Sequence, residues 1–221
     1  MDKQFLLKQI ELLTDKGIGL ISLSSITGKN NTKKNYGGAL RDFGYGGDSW
    51  LNIQNMTYED LKKDIYRGIL GFIIKTGKYS NIVCIDWDNK QHIIDTYKAV
   101  EQRLRNGEII SNTDKDMITY NNYIKSLSIR DELIKKEFLY AKTPSGGYHF
   151  ICKYDEKIFS TNNRGLLGNI DIRTDGGCIF FGIRDDGRYE YNDCKIKAVP
   201  KKITDILYPI IKNKIDINVI K

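Results

Sequence analysis

The sequence predicts an α/β or α+β fold built around a mixed β-sheet. Two observations carry this expectation. Segments with apolar residues at helical spacing alternate along the chain with short apolar runs bounded by Gly, Asn and Asp. Neither kind of segment dominates, and no internal repeat organises them. At 221 residues the chain is long enough to bury a core without disulfides or a structural metal.

The first helix is expected over Phe5 to Leu13, where Leu6, Ile10 and Leu13 share a face, and Gly17 ends it. Ile18 to Leu23 reads as a strand. From Thr27 to Ser49 the composition turns to Gly, Asn and Lys, which predicts a long functional loop. Thr57 is an N-cap with Asp60 three residues on, opening a helix that runs to about Arg67. Ile69 to Ile74 and Asn81 to Trp87 read as strands around the turn Thr76-Gly77-Lys78, and Gln91 to Arg105 reads as a helix. Asn106 to Ser128 is polar and reads as an inserted loop or flap with little core, holding at most a short helix over Met117 to Leu127. Glu137 to Lys142 and Tyr148 to Lys153 form a hairpin about Thr143 to Gly147. Asn169 to Arg173 is expected to pair with Cys178 to Gly182 across Asp175-Gly176-Gly177, with a short edge strand over Arg188 to Tyr191. Pro200 precedes a last helix over Lys201 to Lys212. The whole reads as one domain: an N-terminal α/β subregion (1–80), a central sheet (81–200) carrying the polar insert 106–128, and a C-terminal helix and tail (201–221).

Charge and cysteine usage narrow the function classes. Lys and Arg outnumber Asp and Glu by 35 to 28, a moderate excess that favours a polyanionic partner. Cys84, Cys152, Cys178 and Cys194 form no C-x-x-C pair, which argues against a zinc site or a disulfide framework and for buried thiols in a reducing compartment. The start, Met1-Asp2-Lys3-Gln4, is too polar for a secretory signal. No apolar run approaches the roughly 20 residues that span a membrane. The expected location is the cytosol, or the nucleus if the host has one.

Three short constellations bear chemistry. Ile82-Val83-Cys84-Ile85-Asp86-Trp87-Asp88 is an apolar strand ending in two carboxylates, and alternate strand residues share a face. Asp86 and Asp88 therefore point the same way at the carboxyl end of the strand, as two hard oxygen donors suited to Mg²⁺ or Mn²⁺. A solvated strand end would also look like this, and D-x-D pairs occur in glycosyltransferases and phosphatases. In Thr143-Pro144-Ser145-Gly146-Gly147-Tyr148-His149-Phe150 the paired glycines allow close approach to a ligand. The turn amides and the Ser145 hydroxyl could hold phosphate oxygens. His149 faces away from Tyr148 and Phe150 and can donate to a phosphate; the bland alternative is a plain hairpin with a half-buried imidazole. The other histidine, His92, opens a helix and looks incidental. Finally, Ile170-Asp171-Ile172-Arg173 places an acid within an apolar strand, a costly position unless the charge is paired or bound to metal. Arg173 shares its face, as a structural ion-pair partner or as a phosphate clamp.

Taken in order, a D-x-D strand, an S-G-G-x-H turn and a hydrophobic-D-x-R strand followed by G-G resemble the archaeo-eukaryotic primase superfamily. The similarity is greatest to the bifunctional primase-polymerase domain of plasmid, phage and viral replication proteins. Those motifs stand here as Asp86-Trp87-Asp88, Ser145-Gly146-Gly147-Tyr148-His149, and Ile170-Asp171-Ile172-Arg173 with Gly176-Gly177, and the Gly77 turn is similar too. The resemblance spans roughly Gly17 to Tyr191. It implies an RNA-recognition-motif-like catalytic sheet packed with an N-terminal α/β unit. It implies that Asp86, Asp88 and Asp171 are the catalytic metal ligands for two Mg²⁺ or Mn²⁺ ions. Ser145, Gly146, Gly147, His149 and Arg173 would then bind the incoming nucleoside triphosphate.

The activity implied is template-dependent nucleotidyl transfer, as a DNA primase or DNA polymerase acting on single-stranded or primed DNA in replication. Two departures limit it. No Cys/His cluster supplies the zinc stem of some relatives, and Phe180-Phe181-Gly182-Ile183-Arg184 stands where relatives often have a Pro-Pro-Ser-like segment. No G-x-x-x-x-G-K-[ST] loop is present, so a helicase partner would come from another chain or a further C-terminal region. The richness in Asn, Ile and Lys fits an AT-rich viral or mobile-element genome. Lys29, Lys33, Lys34 and Arg41, near Tyr36, Tyr45 and Trp50, mix cations and aromatics as single-strand binders do, and are candidate template contacts. The alternatives are a primase-like module that binds nucleic acid or nucleotide without synthesis, and a D-x-D glycosyltransferase. A rolling-circle nickase would need a His-x-His pair that two distant histidines cannot supply.

Overall fold

A computed structural model describes residues 2–23, 54–156 and 162–219, with side chains through 213. The chain begins with α1 (Asp2–Asp15), which buries Leu6, Gln9, Ile10 and Leu13 and ends at Gly17, where φ is +75°. β1 (Leu20–Leu23) follows. α2 (Tyr58–Tyr66) is capped as its sequence demands: Thr57 Oγ1 accepts from the Asp60 amide at 3.2 Å and donates to Asp60 Oδ2 at 2.7 Å. β2 (Gly71–Lys75) and β3 (Ile82–Trp87) come next, then α3 (Gln91–Arg105).

The segment 106–128 is not the coreless flap expected from its composition. It contains most of a 21-residue helix, α4 (Lys115–Lys135), capped by Asp114, whose Oδ1 accepts from the Asp116 and Met117 amides at 2.8 and 3.2 Å. Tyr123, Ser126, Ile129 and Leu133 recur three or four residues apart and form its buried stripe. β4 (Leu139–Lys142) and β5 (Tyr148–Lys153) form the expected hairpin, and β6 (Asn163–Leu166) is an unforeseen edge strand. β7 (Ile170–Arg173), β8 (Cys178–Arg184), β9 (Gly187–Arg188), β10 (Glu190–Tyr191) and α5 (Lys201–Val219) complete the described chain.

The strands form two sheets, one in the order β1-β2-β8-β9 and one in the order β10-β4-β5-β3-β7-β6. Every pairing between these strands is antiparallel. The only parallel contacts among the described residues are the isolated bridges Phe138–Lys195 and Cys152–Lys197. The class is therefore α+β, and the mixed sheet gives way to two antiparallel ones. β7 and β8 are not hairpin partners: β7 pairs with β3, whereas β8 crosses to β2 of the other sheet. Asp175-Gly176-Gly177 is thus the bridge between sheets.

The larger sheet is covered on both faces. Val83, Ile85, Trp87, Phe150, Cys152, Ile170 and Ile172 point to one side and pack against Ile93, Tyr123, Leu133, Ile203 and Leu207 of the helices. Ile82, Cys84, Leu139, Ala141 and Ile151 point to the other and share a core with α1, α2 and the smaller sheet. Cys84 and Cys152 are buried thiols as expected, whereas Cys178 and Cys194 are half-buried. No described helix is long and apolar enough to cross a membrane.

Candidate active site: a polar row across three strands

The second face is apolar at its centre and carries a buried polar row towards the carboxyl end of β3. Antiparallel register sets His149 of β5 opposite Asp86 of β3, and Asp86 opposite Asp171 of β7. Directly opposed residues point to the same face with backbones about 4.5–5.5 Å apart. His149, Asp86 and Asp171 are therefore neighbours in space although 85 positions separate the first acid from the second. All three are buried. Burying two carboxylates side by side is costly unless cations or hydrogen bonds offset the charge.

Each acid has a basic group near it, and the compensation is fullest at Asp171. His149 Nε2 lies 3.4 Å from Asp86 Oδ1. Arg173, two residues along β7 and on the same face, donates from Nη2 to Asp171 Oδ2 at 2.6 Å. The other Asp171 oxygen accepts the Gly165 amide at 2.8 Å, from the irregular β6 edge where Gly165 has φ +64°. Asp88 lies just past the end of β3. Its carboxylate is 3.7 Å from Lys90 Nζ, and its backbone is tied to Asn169 by two hydrogen bonds of 2.8 and 3.1 Å. No group of three or more His, Cys, Asp or Glu among the described residues is arranged to hold a metal ion.

The Ser145-Gly146-Gly147 turn stands at the end of β3 beside Asp88. Gly147 is buried against it: a Cβ there would meet the Trp87 carbonyl at 2.6 Å, so only glycine fits. The amides of Gly146 and Gly147 bond Thr143 O and Thr143 Oγ1 at 2.9 Å each, so they brace the turn from within and are not the phosphate donors expected from the sequence. Ser145 is exposed, with its hydroxyl 3.1 Å from Thr143 Oγ1, and Asn89 Nδ2 donates to its carbonyl at 3.3 Å. The turn can therefore offer a ligand the Ser145 hydroxyl.

Above the row lies the smaller sheet. His149 contacts Tyr189 at 5.2 Å between ring centroids, and Tyr189 contacts Phe180 of β8 at 5.1 Å. Alternation puts Cys178 and its partner Lys75 on the Phe180 face. Burial pushes the Cys178 thiol up to about 11, and the positive charge of Arg173 opposes that rise. Burial also lowers the pKa of the Lys75 ammonium. The 75–78 segment is clamped to the bridge between sheets. Thr76 N donates to Gly177 O at 3.0 Å, Thr76 Oγ1 donates to Thr174 O at 2.9 Å, and Lys78 N donates to Asp175 Oδ1 at 2.6 Å.

The structure thus brings together Asp86, Asp171, His149 and Arg173, with Asp88 and the Ser145 turn at the strand end. Lys29, Lys33, Lys34 and Arg41 lie outside the described residues. Asn89, Lys90, Asn169 and Lys75 belong to the site's surroundings and were not singled out from the sequence. The polar run Asn89-Lys90 after the second acid was the available signal for two of them. No protein-family model matches this chain, and no curated protein matches it.

Proposed function

We propose that this chain is the catalytic core of a template-dependent nucleotidyltransferase, a DNA primase or DNA polymerase of the primase-polymerase kind. The observation that carries this reading is the Asp171–Asp86–His149 row, with Arg173 and the Ser145 turn beside it. Two acids on adjacent strands share a face with a histidine, and an arginine pairs with one of them. A primase-polymerase fold would need this convergence of its three motifs.

The chemistry of the donors fits Mg²⁺ or Mn²⁺: Asp86, Asp88 and Asp171 carry hard carboxylate oxygens, and no thiolate is among them. When bound, two such ions would neutralise triphosphate charge and lower the pKa of a primer 3′-hydroxyl. The chain's own residues supply the rest. Asp86 and Asp171 hold negative charge where cations are wanted. His149 and Arg173 would donate to phosphate oxygens, and the Arg173 guanidinium could do so through two parallel hydrogen bonds. Ser145 adds a hydroxyl donor. The apolar floor of Cys84, Ile151 and Tyr189 keeps the local dielectric low, which strengthens each of these interactions.

In this reading the partners are nucleoside triphosphates and a single-stranded or primed DNA template met by the Lys29–Arg41 segment. A helicase would come from another chain or from a further C-terminal region, and the protein would work at cytoplasmic, nuclear or viral replication sites. Incorporation of labelled nucleotides on primed and unprimed single strands, with Mg²⁺ or Mn²⁺, tests it. One observation favours a second reading, a binding module without synthesis: every acid of the site already has a basic neighbour. Strand binding with no incorporation under any metal would establish that alternative.

A further inference from the structure

A second concave site lies at the opposite end of β3. It is a cavity of about 490 Å³ lined by Lys16, Gly17, Ser80, Asn81, Ile82, Lys153, Lys195 and Ile196. Four separate pieces of chain build it: the turn after α1, the turn before β3, the end of β5, and the connection from β10 to α5. Three of its eight lining residues carry an ammonium group and none carries a carboxylate. Lys16 is paired with the exposed Asp193, which lies 2.6 Å away and outside the lining.

The walls are fixed by backbone hydrogen bonds. Gly77 N donates to Ile82 O at 2.6 Å and Tyr154 N to Asn81 O at 3.1 Å, which closes the Ser80-Asn81 turn against the end of β5. Leu139 N donates to Lys195 O at 3.0 Å and Lys153 N to Lys197 O at 2.9 Å, which fastens the connection alongside the sheet. Gly17 is held by its amide to Thr14 O at 2.9 Å. The lysine Cα positions are therefore set by the fold, while the Lys153 and Lys195 side chains remain exposed to solvent. Like charges gathered round a concavity raise the local positive potential well above that of the same charges on a convex surface. The volume falls in the range of ligand sites, about 300–1,000 Å³, and exceeds what one phosphate needs.

We infer that this cavity is a binding site for a ligand with several linked phosphate groups, held by Lys16, Lys153 and Lys195 with the Ser80 hydroxyl and the Asn81 side-chain amide as neutral donors. Ammonium groups on flexible stems suit the dispersed charge of consecutive phosphates. Such phosphates come from a free polyphosphate or from a nucleic-acid backbone. The site is separate from the acid row: Ile82 and Asp86 lie four residues apart on one strand, about 13 Å at 3.3 Å per residue. It stands whether or not the chain synthesises nucleic acid.

Tripolyphosphate and a short single-stranded oligonucleotide are titrated at low salt into the full chain, into Lys153→Glu/Lys195→Glu and into Lys153→Gln/Lys195→Gln. The expected result is at least tenfold weaker binding of one or both probes by the two lysine variants, with unchanged circular dichroism and thermal midpoint. If tripolyphosphate alone responds to the lysines, free polyphosphate is the ligand. If the oligonucleotide responds, a strand backbone is, and its logarithmic salt slope should fall by about 1.4 for two lost phosphate contacts. Lysine variants that fold and bind both probes within twofold of the parent would overturn the inference, as would failure of the parent to bind either.

Discussion

Asp86 and Asp171 stand directly opposite each other on β3 and β7, the two acids of one buried row. Facing like charges on adjacent strands oppose folding, and His149 and Arg173 only partly relieve this. A divalent cation that engages both carboxylates should therefore stabilise the fold. At a hundredfold excess over its dissociation constant, Mn²⁺ is expected to add about 2.7 kcal/mol, or about 5–10 °C in thermal midpoint for a domain of this size. Asp86→Asn/Asp171→Asn should show no such shift and should melt at or above the metal-free parent. An equal Mn²⁺ response in both proteins would contradict the assignment.

His149 is 2% exposed, between Asp86 and Tyr189, and its role is separable from theirs. His149→Gln keeps a hydrogen-bonding side chain and most of the volume, so the fold should survive. Loss of one charge-assisted hydrogen bond, about 1.5 kcal/mol, predicts roughly tenfold weaker nucleoside triphosphate binding in the presence of metal. Calorimetric titration reads this directly, and a change below twofold would remove His149 from the nucleotide site.

Gly147 is required by space rather than by φ. The added Cβ of Gly147→Ala would lie 2.6 Å from the Trp87 carbonyl, so β5 or the end of β3 must move. The expected cost is about 1–3 kcal/mol, as for overpacking elsewhere, together with weaker nucleotide binding because the Ser145 turn shifts against Asp88. Urea denaturation measures the first effect.

Tyr154 and Asp175 tie the end of β5 to the bridge between sheets through a 2.6 Å hydrogen bond in which the phenol donates. That bond, with burial and the Asp175 charge added, pushes the Tyr154 phenol up to about 12. The native state therefore favours the protonated phenol. This contribution is complete below the ordinary tyrosine value near 10 and disappears as pH rises from there towards 12. Tyr154→Phe should lack that alkaline component of the stability profile. Parallel loss of stability in both proteins from pH 10 to 12 would exclude the pair as its source.

Much of the site was legible because its chemistry is carried by local patterns. Asp86 and Asp88 alternate on an apolar strand, Gly146-Gly147 marks a turn, and Asp171 interrupts Ile170 and Ile172. What joins them was not legible. The opposition of Asp86 to both His149 and Asp171 is a matter of register between strands distant in sequence, and a one-residue slip would reverse it. The pairing of β8 with β2 likewise depends on long-range burial, which brings Phe181 of one against Phe72 of the other. α4 was obscured by Thr119, Asn121 and Asn122, residues of low helix propensity, although Tyr123, Ser126, Ile129 and Leu133 already held helical spacing. Tertiary contact with Trp87, whose indole donates to Ser126 at 3.3 Å and lies under Arg130 at 4.9 Å, outweighs that weak propensity. Lys75 gave no local signal, because its place opposite Cys178 arises only from the pairing of β2 with β8.

Nucleotide transfer at the acid row is tested most directly by incorporation of labelled nucleotides on primed single-stranded DNA with Mn²⁺ or Mg²⁺, comparing the parent chain with Asp86→Ala/Asp88→Ala. Template-directed products are expected from the parent, with at least a hundredfold loss in the variant and the thermal midpoint retained. No product from a folded parent under either metal, or equal product from both proteins, would contradict it.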